Sequence, residues 1–461
     1  MTQARLRVAI IGAGPSAFYA ADQLLRQTEI EFHVDMFDRL PTPYGLVRAG
    51  VAPDHQKIKS VTRSFAEIAA HPRFRFFGFV DFGADITLAD LKRYYHQVLF
   101  ATGAQSDRHM GIPGEDLAGS HPATEFVAWY NGHPAYRDCK FDLSAERVAI
   151  VGVGNVAIDV ARILCLSPAE LARTDMADHA IEALSRSRVR EVHLLGRRGI
   201  AQAAFTNPEI KELGELEDAD IVVRPAEAEL DPVSREFVDA SGDRVLQRKI
   251  DLIQSYAARE PVGRSRKLML RFLVSPVEIV GDGHGRVASL RLVRNTLSRN
   301  PAGSIVANPT DSFEELPVGL VFRSVGYRGA PLPDVPFNER WGVVLNEKGR
   351  VLDPASDLPI AGEYVTGWIK RGPSGVIGTN KPDAAETVAC MVQDARAGST
   401  LEPAEPDADV AMELIAARQP RSVSFADWRR LDALECARGQ AEGRPRVKFT
   451  SVEEMLAALG K

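Results

Sequence analysis

Arg7-Val-Ala-Ile-Ile-Gly12-Ala-Gly14-Pro-Ser-Ala17 and Arg147-Val-Ala-Ile-Val-Gly152-Val-Gly154-Asn-Val-Ala157 are two copies of one pattern, far apart in a chain of 461 residues. In each, an apolar run suited to a buried parallel strand enters a glycine turn, and a helix-like stretch follows. The first glycine makes the tight turn and the second lets the backbone approach a diphosphate. The third small position, here alanine, permits close helix–strand packing, and the diphosphate rests on the helix N-terminus. Pro15 suits a first helical turn, where its missing N–H costs nothing. One such pattern is weak evidence, because glycine-rich turns also serve plain loops; two in strand–turn–helix context predict two dinucleotide sites.

The residues that close each unit separate the two sites. His33-Val-Asp-Met-Phe37 reads as the second strand of the first unit and delivers Asp38, at close to the roughly 20 residues beyond the glycines that a ribose-binding acid takes. In the second unit Glu191-Val-His-Leu-Leu195 delivers Arg197-Arg198, and paired guanidiniums suit a phosphate. That crossover is too long for a minimal unit, and the excess around 168–173 and 180–184 reads as an inserted helical excursion. The arginine assignment therefore rests on strand order, not on spacing. Gly281-Asp-Gly-His-Gly285 is also glycine-rich, but alternating runs flank it and it reads as a hairpin turn.

The segments between these units set the domain plan. Pro41-Thr-Pro-Tyr-Gly-Leu-Val-Arg48 reads as a loop, and Asp54 as the N-cap of a helix with the stripe Ile58, Val61, Phe65 and Ile68. On spacing alone, His55, Lys59 and Arg63 read as a solvated basic edge. Val98–Gly103 and Gly319–Gly326 read as strands at domain crossings, which gives a first domain of 1–104 and 324–400 interrupted by a second at 105–323. Residues 363–369 predict a strand, followed by a glycine-rich loop to Gly378 and a helix starting near 379–382 that aims its N-terminus at a ligand. Beyond a Pro- and acid-rich linker at 402–407, residues 401–461 predict a helical extension with capping boxes at Ser424/Asp427 and Ser451/Glu454, serving as a structural cover.

Composition fits a large globular enzyme, with 45% hydrophobic and 26% charged residues. The net charge of -6 leaves 56 Lys and Arg to form a local basic patch. No run approaches the roughly 18 apolar residues of a membrane span, and the first strand begins too early for a signal peptide, so a cytoplasmic protein is expected without nucleic-acid or integral membrane contact. Cys139, Cys165, Cys390 and Cys436 form no CxxC, which argues against dithiol chemistry and against a local iron–sulfur site. No metal site is expected.

Taken together, Gly12 to Phe18, Leu40 to His55, Thr102 to Arg108, Gly152 to Arg162, Gly196 to Arg198 and Gly367 to Asn380 resemble adrenodoxin reductase and its bacterial relatives, most closely the mycobacterial FprA type of NADPH-ferredoxin reductase. The resemblance spans most of residues 7–395. It implies an α/β fold of glutathione-reductase-like architecture: two Rossmann-like three-layer domains, the NADP domain inserted in the FAD domain. It implies FAD at Gly12, Gly14, Ser16, Asp38, Leu46, Arg108, Trp368, Gly375, Val376 and Ile377. NADP(H) would take Gly154, Asn155, Val156, Ala157, Arg197, Arg198, Glu209 and, shared, Gly375. His55 and Glu212 would lie near the nicotinamide and flavin as tuning or proton-handling residues, which displaces the basic-edge reading of His55.

The implied reaction is hydride transfer from NADPH to the flavin N5, then single-electron transfers through the flavin semiquinone to an iron–sulfur ferredoxin. That ferredoxin is expected to be acidic, and Arg264 and Arg266, in the densest basic stretch of the inserted domain, are its candidate contacts. A flavin monooxygenase would share both glycine patterns but carry an FxGxxxHxxx(W/P) segment that is absent here. A flavoprotein redox sensor would bind FAD with negligible NADPH turnover. The sequence does not indicate the oligomeric state.

Overall fold

The strand Ala4–Ile11 pairs in parallel with Ile30–Asp38 on one side and Gln97–Phe100 on the other. Phe74–Gly78 and Pro359–Val365 extend the sheet in parallel, and Arg350–Leu352 and Asn346–Glu347 complete its seven strands antiparallel. The computed structural model describes residues 4–461. Two compact units divide the chain, Met1–Ser106 with Gly326–Lys461, and Asp107–Val325. The breaks expected after 104 and 323 fall close to these.

The second unit holds a six-stranded parallel sheet in the order Ser120–Pro122, Leu320–Arg323, Arg147–Val151, Glu191–Leu195, Arg266–Arg271 and Ala219–Val223. Its long crossover contains the glycine-turn helix Asn155–Cys165 and then two short helices, Pro168–Leu171 and Asp178–Ser185. These two are the inserted excursion. Val274–Gly281 and Val287–Arg299 form the hairpin around Gly281–Gly285, and Ile305–Pro317 adds a third antiparallel strand.

Within the expected helical extension at 401–461, Trp428, Leu431, Phe449, Met455 and Leu456 are buried in the same core as Phe18, Val34 and Phe65 of the first unit. The intervening linker is tied down as well: Arg7 donates to the carbonyl of Asp407 at 2.7 Å while pairing with Asp35, which also accepts from Arg75 and Tyr95.

The helix expected from Asp54 is broken into Gln56–Lys59 and Thr62–Ala69, with His55 and not Asp54 at the first N-cap. Ser60 and Thr62 turn their hydroxyls back onto the carbonyls of Lys57 and Lys59, and such local bonds compete with the helix ladder. Ile58 is consequently 42% exposed, and Lys59 is buried, so this is not a solvated basic edge. The strand expected over 363–369 ends at Val365; Gly367 turns the chain with φ +79° into a single helical turn, Trp368–Arg371.

Candidate dinucleotide sites

The two glycine turns share one construction. The N–H of Gly12 donates to the carbonyl of Phe37 at 2.8 Å, and that of Gly152 to Leu195 at 2.9 Å, so each turn is pinned to the end of the neighbouring strand. Gly12 (φ +102°) and Gly152 (φ +129°) sit where an L residue is strained, and a Cβ would also strike the carbonyls of Ala101 and Ser324. Their glycines serve the fold.

Gly14 and Gly154 are different. Both are extended N-cap residues, at φ -84° and -102°, and a Cβ built on either meets nothing within 4 Å. Neither strain nor crowding within the protein demands glycine there. What remains is the close approach of something outside the chain, and the N-termini of Pro15–Leu25 and Asn155–Cys165 offer it unpaired N–H groups and a positive dipole end. Two dinucleotide diphosphates fit this cradle.

In the first unit the remaining groups converge on that turn. Asp38 ends its strand half-buried, accepting from the backbone N–H of Ala13 at 3.0 Å and of Leu40 at 2.9 Å. Burial pushes its carboxyl up to about 6 despite both bonds. A half-buried carboxylate at the end of the second strand suits ribose hydroxyls, which would supply further donors to its charge. Ser16 lies against Gly367, where a Cβ would come within 2.5 Å of the Ser16 hydroxyl. Gly367 in turn donates to Asp383 at 2.6 Å, in the first turn of Asn380–Arg396. That helix is the one expected to point at a ligand. Trp368 is half-buried, its indole N–H held by the Ser374 carbonyl at 3.1 Å. Gly375 has φ +79°, and a Cβ would strike Thr379; Val376 and Leu46 expose 48% and 37% of their surface.

The loop after Asp38 reaches the same turn from the other side. Tyr44 donates its N–H to the Ala13 carbonyl at 2.8 Å, and a Cβ on Gly45 would lie 3.1 Å from the Gly14 Cα. Tyr44 itself holds φ +84°, a conformation that a bulky residue keeps only when its surroundings impose it.

In the second unit Asn155 accepts from the N–H of Thr206 at 2.9 Å, which ties the glycine-turn helix to the loop before Asn207–Leu213. Val156 is half-buried and Ala157 fully buried behind it. Arg197 is exposed and Arg198 half-buried just beyond Glu191–Leu195. Neither has a carboxylate partner among the described residues; Arg198 reaches only the Ile305 carbonyl, at 3.5 Å. Burial and the neighbouring Arg197 both push the Arg198 guanidinium below its ordinary value. Two adjacent cations without an acid form a site that an anion completes. Glu209, buried, and Glu212, beside Arg162 at 3.7 Å, lie one turn apart on Asn207–Leu213.

Arg108, expected with the flavin group, is exposed and falls in the second unit, just past the break; His55 is half-buried in the first unit. Arg264 and Arg266, the expected partner contacts, both make bonds within the second unit. The Arg264 guanidinium donates to the carbonyls of Leu216 and Ala219, and Arg266 pairs with Asp218 at 2.8 Å with 11% of its side chain exposed. These bonds tie both side chains to the loop before the Arg266–Arg271 strand, while Arg264 remains exposed. Gly378 was not singled out from sequence. It has neither left-handed φ nor any neighbour within 4 Å of a built Cβ, the same signature as Gly14, at the foot of Asn380–Arg396. Only the backbone geometry separates it from the structural glycines around it.

The four cysteines are free and separate, and burial pushes the Cys165 thiol up to about 12. They offer no dithiol for disulfide exchange.

The family described as pyridine nucleotide-disulphide oxidoreductase matches residues 6–224. NADPH-ferredoxin reductase FprA of Mycobacterium tuberculosis is 47% identical over 457 residues, covering 97% of this chain and 98% of that protein. This chain belongs to the FprA-type NADPH-ferredoxin reductase family. The mitochondrial NADPH:adrenodoxin oxidoreductase of Arabidopsis thaliana is 40% identical over 463 residues, covering 98% and 95% of the two chains. A solved structure of the M. tuberculosis FprA in complex with NADPH has a TM-score of 0.93 at 46% identity, over 99% of this reductase and all of that chain. The reductase therefore has the glutathione-reductase-like α/β fold that the family resemblance implied. No helix among the described residues is long and apolar enough to cross a membrane.

Proposed function

We propose that this chain is an FAD-dependent NADPH:ferredoxin oxidoreductase, with FAD in the first unit and NADP(H) in the second. The carrying observation is the pair of glycines, Gly14 and Gly154, that face open space at helix N-termini, one beside a half-buried acid and the other in a unit with two guanidiniums that have no carboxylate partner among the described residues. FAD held in the first unit would supply acceptance of a hydride from NADPH and one-electron donation to an iron–sulfur acceptor.

The chain's own residues bind and orient. Gly12, Gly14 and Ser16 hold the FAD diphosphate, Asp38 the adenosine ribose, and Leu46, Trp368, Gly375, Val376, Ile377 and Gly378 the flavin half, with Arg108 completing the family's set. Gly154, Asn155, Val156 and Ala157 hold the NADP diphosphate, Arg197 and Arg198 its 2′-phosphate, and Glu209 the adjacent ribose. His55 and Glu212 tune or carry protons. The acceptor is an acidic ferredoxin; for its candidate contacts Arg264 and Arg266, the bonds to Leu216, Ala219 and Asp218 favour a bracing role.

The test is direct. Purified protein should be yellow and release FAD, not FMN, on heating. It should reduce ferricyanide with NADPH far better than with NADH, and reduce cytochrome c through an added ferredoxin. A flavoprotein that binds FAD but turns over no NADPH would be a redox sensor instead.

A further inference from the structure

Glu435 is completely buried, and its carboxylate takes both arms of Arg48, at 2.5 and 2.8 Å. It also accepts from Arg446 at 3.1 Å and from the N–H of Phe449 at 2.9 Å, so the carboxylate joins Arg48 to the segment after the Phe425–Ala441 helix. Arg48 stands in the single helical turn Leu46–Ala49, directly after Tyr44 and Gly45, the two residues that press on the Gly14 turn. Three more contacts join the same partners. The Arg48 guanidinium lies 5.1 Å over the Trp428 ring, Tyr44 meets Trp428 edge-on at 5.7 Å, and Lys448 donates to the Arg48 carbonyl at 3.3 Å.

We infer that residues 425–449 clamp the loop 40–50 against the FAD diphosphate turn, with Glu435 as the positioning residue acting through Arg48. This rests on the assignment of FAD to the first unit. The physical need is visible in Tyr44, whose left-handed backbone must be held from outside. A bidentate guanidinium–carboxylate pair fixes direction as well as distance, which a point charge does not. Released from Glu435, the loop loses the force that keeps Tyr44 and Gly45 on Ala13 and Gly14, and the bound dinucleotide loses one wall. Glu435 touches no cofactor in this scheme; its effect is on how long FAD stays.

The test compares Glu435→Gln with Asp394→Asn in the holoenzyme, following FAD release by the recovery of flavin fluorescence, with Tm measured alongside. Asp394 carries a comparable pair of bonds from Arg350, at 2.8 Å each, far along the Asn380–Arg396 helix from its flavin end. E435Q should release FAD at least about tenfold faster than wild type, and D394N at the wild-type rate. R48K, which keeps the charge without the fork, should behave like E435Q, and W428F supplies the same readout if E435Q does not fold. Wild-type protein that retains no FAD overturns the flavin assignment itself. Wild-type protein that retains FAD, with E435Q and D394N releasing it alike at equal Tm, overturns the clamp alone.

Discussion

Asp38 and Ala13 are joined by a 3.0 Å hydrogen bond that ties the acid ending the second strand to the residue between the two glycines of the first turn. The bond places a carboxylate where ribose is expected, but in a setting that favours its protonated form, with the carboxyl at about 6. In FAD-free protein the native state holds this proton more tightly than the unfolded chain does. Asp38 therefore contributes stability below pH 4, and this is lost as pH rises through 6, on the order of 3 kcal/mol in all. Asp38→Asn should flatten that part of the apoprotein's Tm–pH profile and also weaken FAD binding. Parallel profiles for the two proteins would show that the carboxyl is not perturbed.

Gly14→Ala and Gly154→Ala separate fold from binding. Both positions accept a Cβ without strain or collision, so the apoprotein should keep its Tm or gain slightly, by about 0.4–1 kcal/mol of stability. FAD retention should fall in the first variant and NADPH affinity in the second. Gly12→Ala and Gly152→Ala should instead lower Tm outright, because each forces a side chain into a left-handed backbone against a carbonyl. Thermal melts with titration of each coenzyme distinguish the pairs; equal Tm losses in all four would refute the distinction.

Coenzyme choice should rest on Arg197 and Arg198. Charge-assisted hydrogen bonds contribute roughly 1.5–3 kcal/mol each, so replacing both by alanine should raise the KM for NADPH by about a hundredfold or more. The KM for NADH should change little and FAD content not at all. Ferricyanide reduction with the two coenzymes measures this, and equal losses would assign the arginines to the fold.

Arg264→Glu and Arg266→Glu should damage the second unit and not a docking surface. The first places a carboxylate against the carbonyls of Leu216 and Ala219, and the second sets two acids together at Asp218. Tm, ferricyanide reduction and ferredoxin-dependent reduction should fall in parallel. Selective loss of the ferredoxin reaction would return both arginines to the partner interface.

What the sequence made legible was local. Strand, glycine turn and helix are contiguous, so Ile11–Gly14 and Val151–Gly154 could be read directly, and Asp38 and Arg197 followed from the strands that deliver them. The helix after His55 misled because its apolar spacing is right, while the hydroxyls of Ser60 and Thr62, which break it, leave no mark on periodicity. Arg264 and Arg266 stand in a basic run, and such a run does not show where its guanidiniums bond. Gly378 differs from its neighbours only in backbone angle and empty surroundings. The Arg48–Glu435 pair was beyond reach, since its partners are far apart in sequence and neither belongs to a motif.

The strand order of the first unit also has a bearing on synthesis. Gln97–Phe100 pairs on one side with Ala4–Ile11, and on the other with Pro359–Val365, which the ribosome makes only after the whole of Asp107–Val325. The intervening unit is contiguous and can mature as it emerges, while the nascent amino-terminal half waits with an apolar strand edge uncovered. During that interval a neighbouring chain offering a similar strand could occupy the vacant place. Slowed elongation through 107–325 should thus favour aggregation, and chaperone demand should peak before residue 359 is translated.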